Sequence, residues 1–486
     1  MPDIRKNQKS LHGMLNHSSK LFWKLHCAIL LLCAPIFLFA QQESLISIGK
    51  VAPRHAKDIQ ASNWSVGAET MDRDYTIYEN WKEYLGPLGI KKARLQAGWA
   101  KTEYQKGHYN FAWLDSIIYD MVDQGVEPWL NVSYGNPLYS GGTRLGAAMP
   151  KDSASIAAFA TWAKLLAARY KEVIDEYEIW NEGIHSKKNT VEEYADLYIA
   201  SAEAIRSVQP EAQLLAMAIA GIRPELADSF LAEMQKRSKL QLVDQITYHP
   251  YRQNPDEVYD QVLKLRAVVN QYDPRITIRQ GENGAPSQYR NTKALRNYPW
   301  TETSQSKWAL RRMLGDLGRD IETSYFSIID LNYPDEINRK GTLESDTTKK
   351  VVKAKPVYYA LQHLAAIFDN TLTRIPNYAY TTADSSLSLF AYRHQATGQQ
   401  VITLWQDGSI PSELEEYQSI DVSVPSGNFN EAVWVDLRTG EVLEIPEENI
   451  RREGTQYTFS NIPAYDSPVL IADKSLIPLT TTSSRR

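Results

Sequence analysis

Two glutamates in this sequence stand where a catalytic pair would. Glu182 closes the run Tyr-Glu-Ile-Trp-Asn-Glu (177–182), and Glu282 lies in Arg-Gln-Gly-Glu-Asn-Gly (279–284), 100 residues later. In an extended strand, Glu178, Trp180 and Glu182 share one side, as do Ile278, Gln280 and Glu282. A carboxyl beside an indole is partly desolvated, which suits a general acid. Paired carboxylates flanking one bond are the machinery of glycoside hydrolysis. Either residue read alone is equally a turn or helix-entry carboxylate.

Other residues have the chemistry to serve such a pair. Arg94 alternates with Gln96, and an interior arginine needs carboxylate partners, for which Glu178 and Glu282 are candidates. Beside Glu282 it would brace a nucleophile; beside Glu178 it would be a core ion pair. His249 and Tyr251 are two apart at a strand end, so a phenol could hydrogen-bond Glu282. Asn181 is suited to a sugar hydroxyl next to the reacting carbon. Trp180, Trp99, Trp129, Tyr134, Tyr289, Tyr298 and Trp300 could stack on sugar rings or pack in a core. Asp330 is a further polar candidate, and Glu69, Glu103 and Glu302 are rival carboxylates. No His/Asp/Glu cluster has metal-ligand spacing, no Gly-x-Ser-x-Gly elbow occurs, and no cofactor is expected.

The elements that would position these residues alternate. Apolar or β-branched runs occur at 63–70, 91–99, 127–135, 175–183, 212–221, 243–251, 277–284 and 323–331. Between them lie segments of helical period, beginning near Thr76, Phe111, Ile156, Thr190, Pro224, Asn254, Thr303 and Lys355. Eight strand–helix pairs over 59–370 predict an α/β fold, a (β/α)8 TIM barrel, whose site lies at the C-terminal ends of its strands. An open doubly wound sheet is the alternative, and no Gly-x-Gly-x-x-Gly or Walker loop supports it. Seven short alternating runs with glycine turns over 371–475 predict a small C-terminal β-sandwich. The segment 41–58 is expected to cap the barrel bottom or add a strand to the sandwich, and 476–486 to be a flexible tail.

Composition sets the class. The chain has 486 residues, 43% hydrophobic and 23% charged, ordinary for a globular protein and unlike collagen, coiled coil or disorder. Residues 1–40 carry five basic side chains and Asp3, then the apolar run ending at Ala40, which reads as a secretory signal peptide. Both cysteines, Cys27 and Cys33, lie there, so a mature chain from about Gln41 would hold no disulfide or thiolate site. Removing five positive charges and one negative moves the net charge from -5 to -9. An acidic exported protein, periplasmic or extracellular, with no membrane span after cleavage, is a poor partner for nucleic acid; the expected partner is carbohydrate.

The run Tyr-Glu-Ile-Trp-Asn-Glu (177–182) resembles the acid/base strand of clan A glycoside hydrolases. Arg94, His249-Pro250-Tyr251 and Glu282 resemble that clan's layout, and KPVYYALQHLAAIFD followed by a sandwich looks most like family 39 and its relatives. The resemblance implies a retaining double displacement, with Glu182 as acid/base and Glu282 as nucleophile. It implies β-xylosides or uronides as substrates, or β-glucans or β-mannans if the chain is nearer the family 5 relatives. Two features depart from the pattern. Ile-Asp-Leu-Asn-Tyr (329–333) stands where the clan often has Trp at the eighth strand's end, and Gln-Gly-Glu-Asn-Gly replaces the usual Thr-Glu context. A catalytically silent carbohydrate-binding protein on the same scaffold, or a metal-assisted barrel enzyme, are the rival readings. The loops 139–147 and 287–302 could close one end of a cleft and favour exo action.

Overall fold

The computed structural model describes residues 45–140, 148–184 and 189–480. The expected signal peptide and most of the glycine-rich loop 139–147 lie outside the described residues. Eight parallel strands close into a barrel: β1 (Trp64–Gly67), β2 (Lys92–Gln96), β3 (Glu127–Val132), β4 (Glu176–Ile179), β5 (Gln213–Ala220), β6 (Gln245–His249), β7 (Thr277–Asn283) and β8 (Glu322–Tyr325). Each stands where an apolar run predicted it. Seven of the expected helices also form, from Ala112–Asp123 to Pro356–Ile367. The first does not. Gly86, Pro87 and Gly89 interrupt the stretch after Thr76, which folds as 3-10 turns and the single turn Leu85–Leu88.

Barrel interiors are usually layered with branched apolar side chains. Here the lower interior is an ion-pair ring. Lys92 Nζ lies 2.7 Å from Glu176, Arg279 pairs with both Glu176 and Glu322, and the Trp129 ring lies between the guanidinium groups of Arg94 and Arg279 at 5.5 and 5.1 Å. Burial alone would raise the Glu176 carboxyl, but Arg279 and Lys92 hold it down at about 2. The interior face of β7 thus carries Arg279, where strict alternation from Glu282 expected Ile278 and Gln280. A register shift between Gln280 and Asn283 accounts for the difference, turning Glu282 back to the inside.

The C-terminal strands form two antiparallel sheets. The larger runs in the order Leu372–Arg374, Leu387–His394, Gln400–Gln406, Val469–Asp473, Ala432–Asp436, Glu441–Glu444, Ser47–Val51, Leu479–Thr480; the smaller holds Gln418–Val424, Gln456–Ala464 and Ile450–Glu453. Alternation divides the large sheet's two faces. Ile402 and Leu404 meet Val422 and Phe459 of the small sheet, while Val401 and Trp405 join the barrel's core. The N-terminal segment serves both roles open to it. Ser47–Val51 pairs with Glu441–Glu444, and the Ala56 carbonyl accepts from Lys91 beneath the barrel. Leu479–Thr480 pair with Lys50 and Val51, so ordered strand reaches into the expected tail.

The interior ring carries a pH signature. A carboxyl at about 2 in the folded chain and about 4.3 unfolded contributes on the order of 3 kcal/mol above pH 5, lost as pH falls through the folded value. Urea unfolding of the intact chain and Glu176→Gln should show a stability gap at pH 7 that narrows by about that amount near pH 2.

Candidate active site

The site is assembled around Arg94, which is wholly buried on β2. Its Nε donates to Glu178 at 2.9 Å, and Nη2 donates to the same carboxylate and to Asn181 Oδ1 at 2.8 Å. Nη1 donates to Glu69 at 2.7 Å and to Glu282 Oε2 at 3.2 Å. Both partners weighed for Arg94 are therefore real. Asn131 and the Thr247 hydroxyl also donate to Glu178. Burial raises a carboxyl's pKa, but at Glu178 the charges of Arg94 and His249 outweigh it and hold the group below its ordinary value. At Glu69 burial wins, and with Glu282 nearby the carboxyl is pushed up to about 7.

The two proposed catalytic carboxylates meet at His249. Its Nδ1 lies 2.8 Å from Glu182 Oε1 and 3.8 Å from Glu282 Oε2. These two oxygens are therefore no further apart than the two contacts laid end to end. Tyr251 Oη donates to Glu282 Oε1 at 2.8 Å, as the spacing of His249 and Tyr251 suggested. Glu182 is 30% exposed and Glu282 14%, so both face the open mouth. Strand β4 stops at Ile179, and Trp180 (φ 66°) and Glu182 (φ 50°) adopt left-handed backbone. Glu182 thus reaches the mouth on a strained turn rather than on the strand's alternation, a conformation that costs of order 1–3 kcal/mol and clusters at functional sites.

The remaining candidates divide. Asn181 Nδ2 donates to Tyr134 Oη at 2.8 Å, and the Tyr134 ring meets Trp180 edge to face at 5.7 Å, so all three belong to the site. Trp99 is fully buried, bonded to Glu103 at 2.6 Å and packed on Tyr139, Phe159 and Trp162. Trp300 is buried against Tyr298, its Nε1 bonded to the Leu295 carbonyl. Both are core tryptophans rather than sugar platforms. Asp330 lies beyond the end of β8, buried, and accepts from Lys355 at 2.7 Å, Arg339 at 3.0 Å and the Gly341 amide. It is a structural ion pair because β8 ends at Tyr325, six residues earlier than the apolar pattern implied. The aromatic following that end is Phe326, and Ile329 is interior to the loop.

Three contributors lacked a sequence signal of their own. Thr247 and Asn131 read as ordinary strand residues, and Lys340, whose Nζ sits 3.7 Å from the Tyr251 ring centroid, comes from the loop after β8. Among the described residues no group of His, Cys, Asp and Glu is placed to hold a metal ion.

A buried arginine spanning Glu69, Glu178 and Glu282, with two strand-end carboxylates about one histidine, is a site for acid–base and nucleophilic work. Residues 88–274, from before β2 to just short of β7, match the family model described as glycosyl hydrolases family 39. Solved glycoside hydrolases share the barrel's fold. One is a family 39 glycoside hydrolase from Bacteroides cellulosilyticus, 16% identical over 87% of this chain and 83% of that one, TM-score 0.62. A monomeric β-xylosidase from Caulobacter crescentus is 15% identical over 88% and 99%, TM-score 0.58. A family 30 xylanase from Clostridium acetobutylicum is 14% identical over 88% and 98%, TM-score 0.53. No curated protein matches the chain.

His249 is itself shifted. Burial disfavours its charged form, but the carboxylates of Glu282 and Glu182 outweigh that and raise it above its ordinary value. A raised histidine stabilises the fold fully below the unfolded pKa of about 6.5, and the contribution is lost as pH rises through the folded value. Ring-nitrogen NMR should place the His249 midpoint above 6.5, and Glu282→Gln should lower it.

Proposed function

We propose that this chain is an exported, retaining glycoside hydrolase acting on an oligosaccharide or polysaccharide. The observation that carries the reading is the closeness of Glu182 and Glu282 about His249 Nδ1. The two contacts to that nitrogen, 2.8 and 3.8 Å, bound the separation of the facing oxygens and are compatible with the roughly 5–5.5 Å of retaining pairs, where inverting pairs keep about 6.5–9.5 Å to admit a water. The basic and apolar character of residues 1–40 supports export.

The two carboxyls are held differently, and the difference suggests their roles. Glu282 is fixed at both oxygens, by Tyr251 and by Arg94, so its rotamer is set and its charge is met by a guanidinium. Such a group attacks the anomeric carbon. As its oxygen bonds to that carbon, the glycosidic C–O bond breaks and Glu182 gives its proton to the departing oxygen. The Glu182 carboxylate then removes a proton from water, whose oxygen displaces Glu282 and frees the sugar with its original anomeric configuration. Glu182, bonded to a histidine, has a partner through which its proton can be shared between the steps. Burial keeps the Tyr251 phenol protonated, with the Glu282 charge reinforcing this, so it remains a donor throughout.

The test is hydrolysis of aryl glycosides and polysaccharides with product anomers followed by NMR. Glu282→Gln should lose activity by about four orders of magnitude or more on every substrate. Glu182→Gln should lose on the order of 10²–10⁴ with poor leaving groups and much less with a dinitrophenyl leaving group, which departs without a proton. Inverted product, or activity surviving Glu282→Gln, rejects the assignment. Binding of sugars without turnover would make this a silent carbohydrate-binding barrel.

A further inference from the structure

Two loops at the barrel mouth enclose a cavity of about 340 Å³, and none of its lining residues belongs to the site around Arg94. One loop follows β7 and the other follows β8, so both stand at the C-terminal ends of the strands. The volume falls within the roughly 300–1,000 Å³ of small-ligand sites. Tyr289 lines the cavity and is 59% exposed. Gln288 and Asn291, within two residues of it, line the cavity as well. Neither side-chain amide has a hydrogen-bond partner among the described residues.

The charged groups around this cavity are already met inside the protein. Arg290 donates to Asn338 Oδ1 at 3.0 Å and to Glu336 at 2.8 Å, Glu336 also pairs with Lys293 at 2.7 Å, and Arg339 donates to Asp330 at 3.0 Å. An aromatic face and uncharged amides are what remain for a ligand. The wall that carries them is set in advance. The Ser287 amide donates to the Arg339 carbonyl at 2.9 Å, the Asn297 amide to the Arg290 carbonyl at 2.8 Å, and Lys355 Nζ to Ser287 Oγ at 3.0 Å. A loop tied down in this way has little freedom left to lose on binding.

The cavity is also joined to the reacting centre. Leu331–Asn332 pairs with Ile337–Asn338 in a short hairpin, and Ile337 lines the cavity. Tyr333, in the same hairpin's turn, feels the nucleophile: burial, with the Glu282 charge reinforcing it, raises its phenol pKa. A lone exposed aromatic is ordinary on a surface. One standing in a prebuilt cavity beside two unpartnered amides matches a pyranose, whose C–H face packs on an aromatic ring while its hydroxyls pair with amides.

We propose that this cavity is a remote subsite for an uncharged pyranose ring, with Tyr289 as its platform and Gln288 and Asn291 as its hydroxyl partners. The inference rests on the glycosidase reading and adds to it that the substrate is an extended neutral chain, running from the carboxylates over the loops after β7 and β8. The loop 287–302 then lengthens the cleft instead of closing it.

The test is calorimetric binding of xylobiose and xylohexaose, cellobiose and cellohexaose, and mannobiose and mannohexaose to the full chain carrying Glu282→Gln. In at least one series the hexamer should bind about tenfold or more tighter than its dimer. Adding Tyr289→Ala should remove that gain and change the dimer's affinity by less than about twofold, whereas Tyr289→Phe, which keeps the ring, should retain the gain. Gln288→Ala/Asn291→Ala should weaken the hexamer about fivefold. A hexamer no tighter than its dimer in all three series, a gain that survives Tyr289→Ala, or a hexamer unaffected by loss of the two amides overturns the subsite. If aryl glycosides are hydrolysed by the intact chain while the length gain is absent, the subsite alone falls. If the gain depends on Tyr289 and no glycoside is hydrolysed, the subsite stands and the glycosidase reading falls.

Discussion

The Arg94 guanidinium is the constraint on which the site depends. A fully buried arginine is tolerable only when its donors are met by acceptors in fixed directions. Its planar fork satisfies this by reaching three carboxyls on different strands or strand ends: Glu69 after β1, Glu178 on β4 and Glu282 on β7. The partners are thereby set in one geometry relative to each other. Asn181 is oriented by the same group, and through Asn181 so is Tyr134. Lysine would not replace it, since an ammonium is a point charge with no fork to divide among directions.

Such a cluster must also balance its charge. Arg94, and a His249 ring whose pKa the carboxylates raise, face the carboxyls of Glu69, Glu178, Glu182 and Glu282. Full ionisation of all four would leave at least two uncompensated negative charges in a largely buried space, so protons must be retained. Glu69 retains one, its carboxyl raised to about 7 by burial. The Glu182 carboxyl and the His249 ring lie 2.8 Å apart, close enough to share a proton. Below them the ring of Lys92, Glu176, Arg279 and Glu322 is separately paired, with Trp129 between the two layers and its Nε1 bonded to Ser65 at 2.9 Å. The barrel's unusual interior is thus two stacked ionic layers held apart by one indole.

The sequence made the elements legible because hydrophobic period survives in every barrel strand, and the strand-end residues Glu182, Glu282, His249 and Tyr251 followed from counting strands. What it concealed depends on local departures from period. The register shift after Gln280 reverses which side of β7 faces in, so Arg279 was not seen as an interior cation. The early end of β8 at Tyr325 moved Asp330 out of the site and brought Phe326 to the strand's end. Trp99 and Trp300 show the limit of composition: an indole at a strand end is compatible with a sugar platform or a core, and only the packing partners decide. Lys340 could not be anticipated at all, because its position depends on the path of a loop whose sequence has no period.

The asymmetry between the two carboxyls follows from the same local features. Glu282 sits within β7, between the paired residues Gln280 and Asn283, and Arg94 and Tyr251 bond both of its oxygens from fixed elements, so it has little freedom. Glu182 sits past the end of β4 on left-handed backbone, more exposed, with a histidine as partner. A nucleophile benefits from being held, since misplacement by even 1 Å weakens attack. An acid that must later act as a base needs a route for its proton and access to water. The rigid strand and the strained turn therefore supply two unlike environments to the same residue type, as the proposed roles of nucleophile and acid/base require.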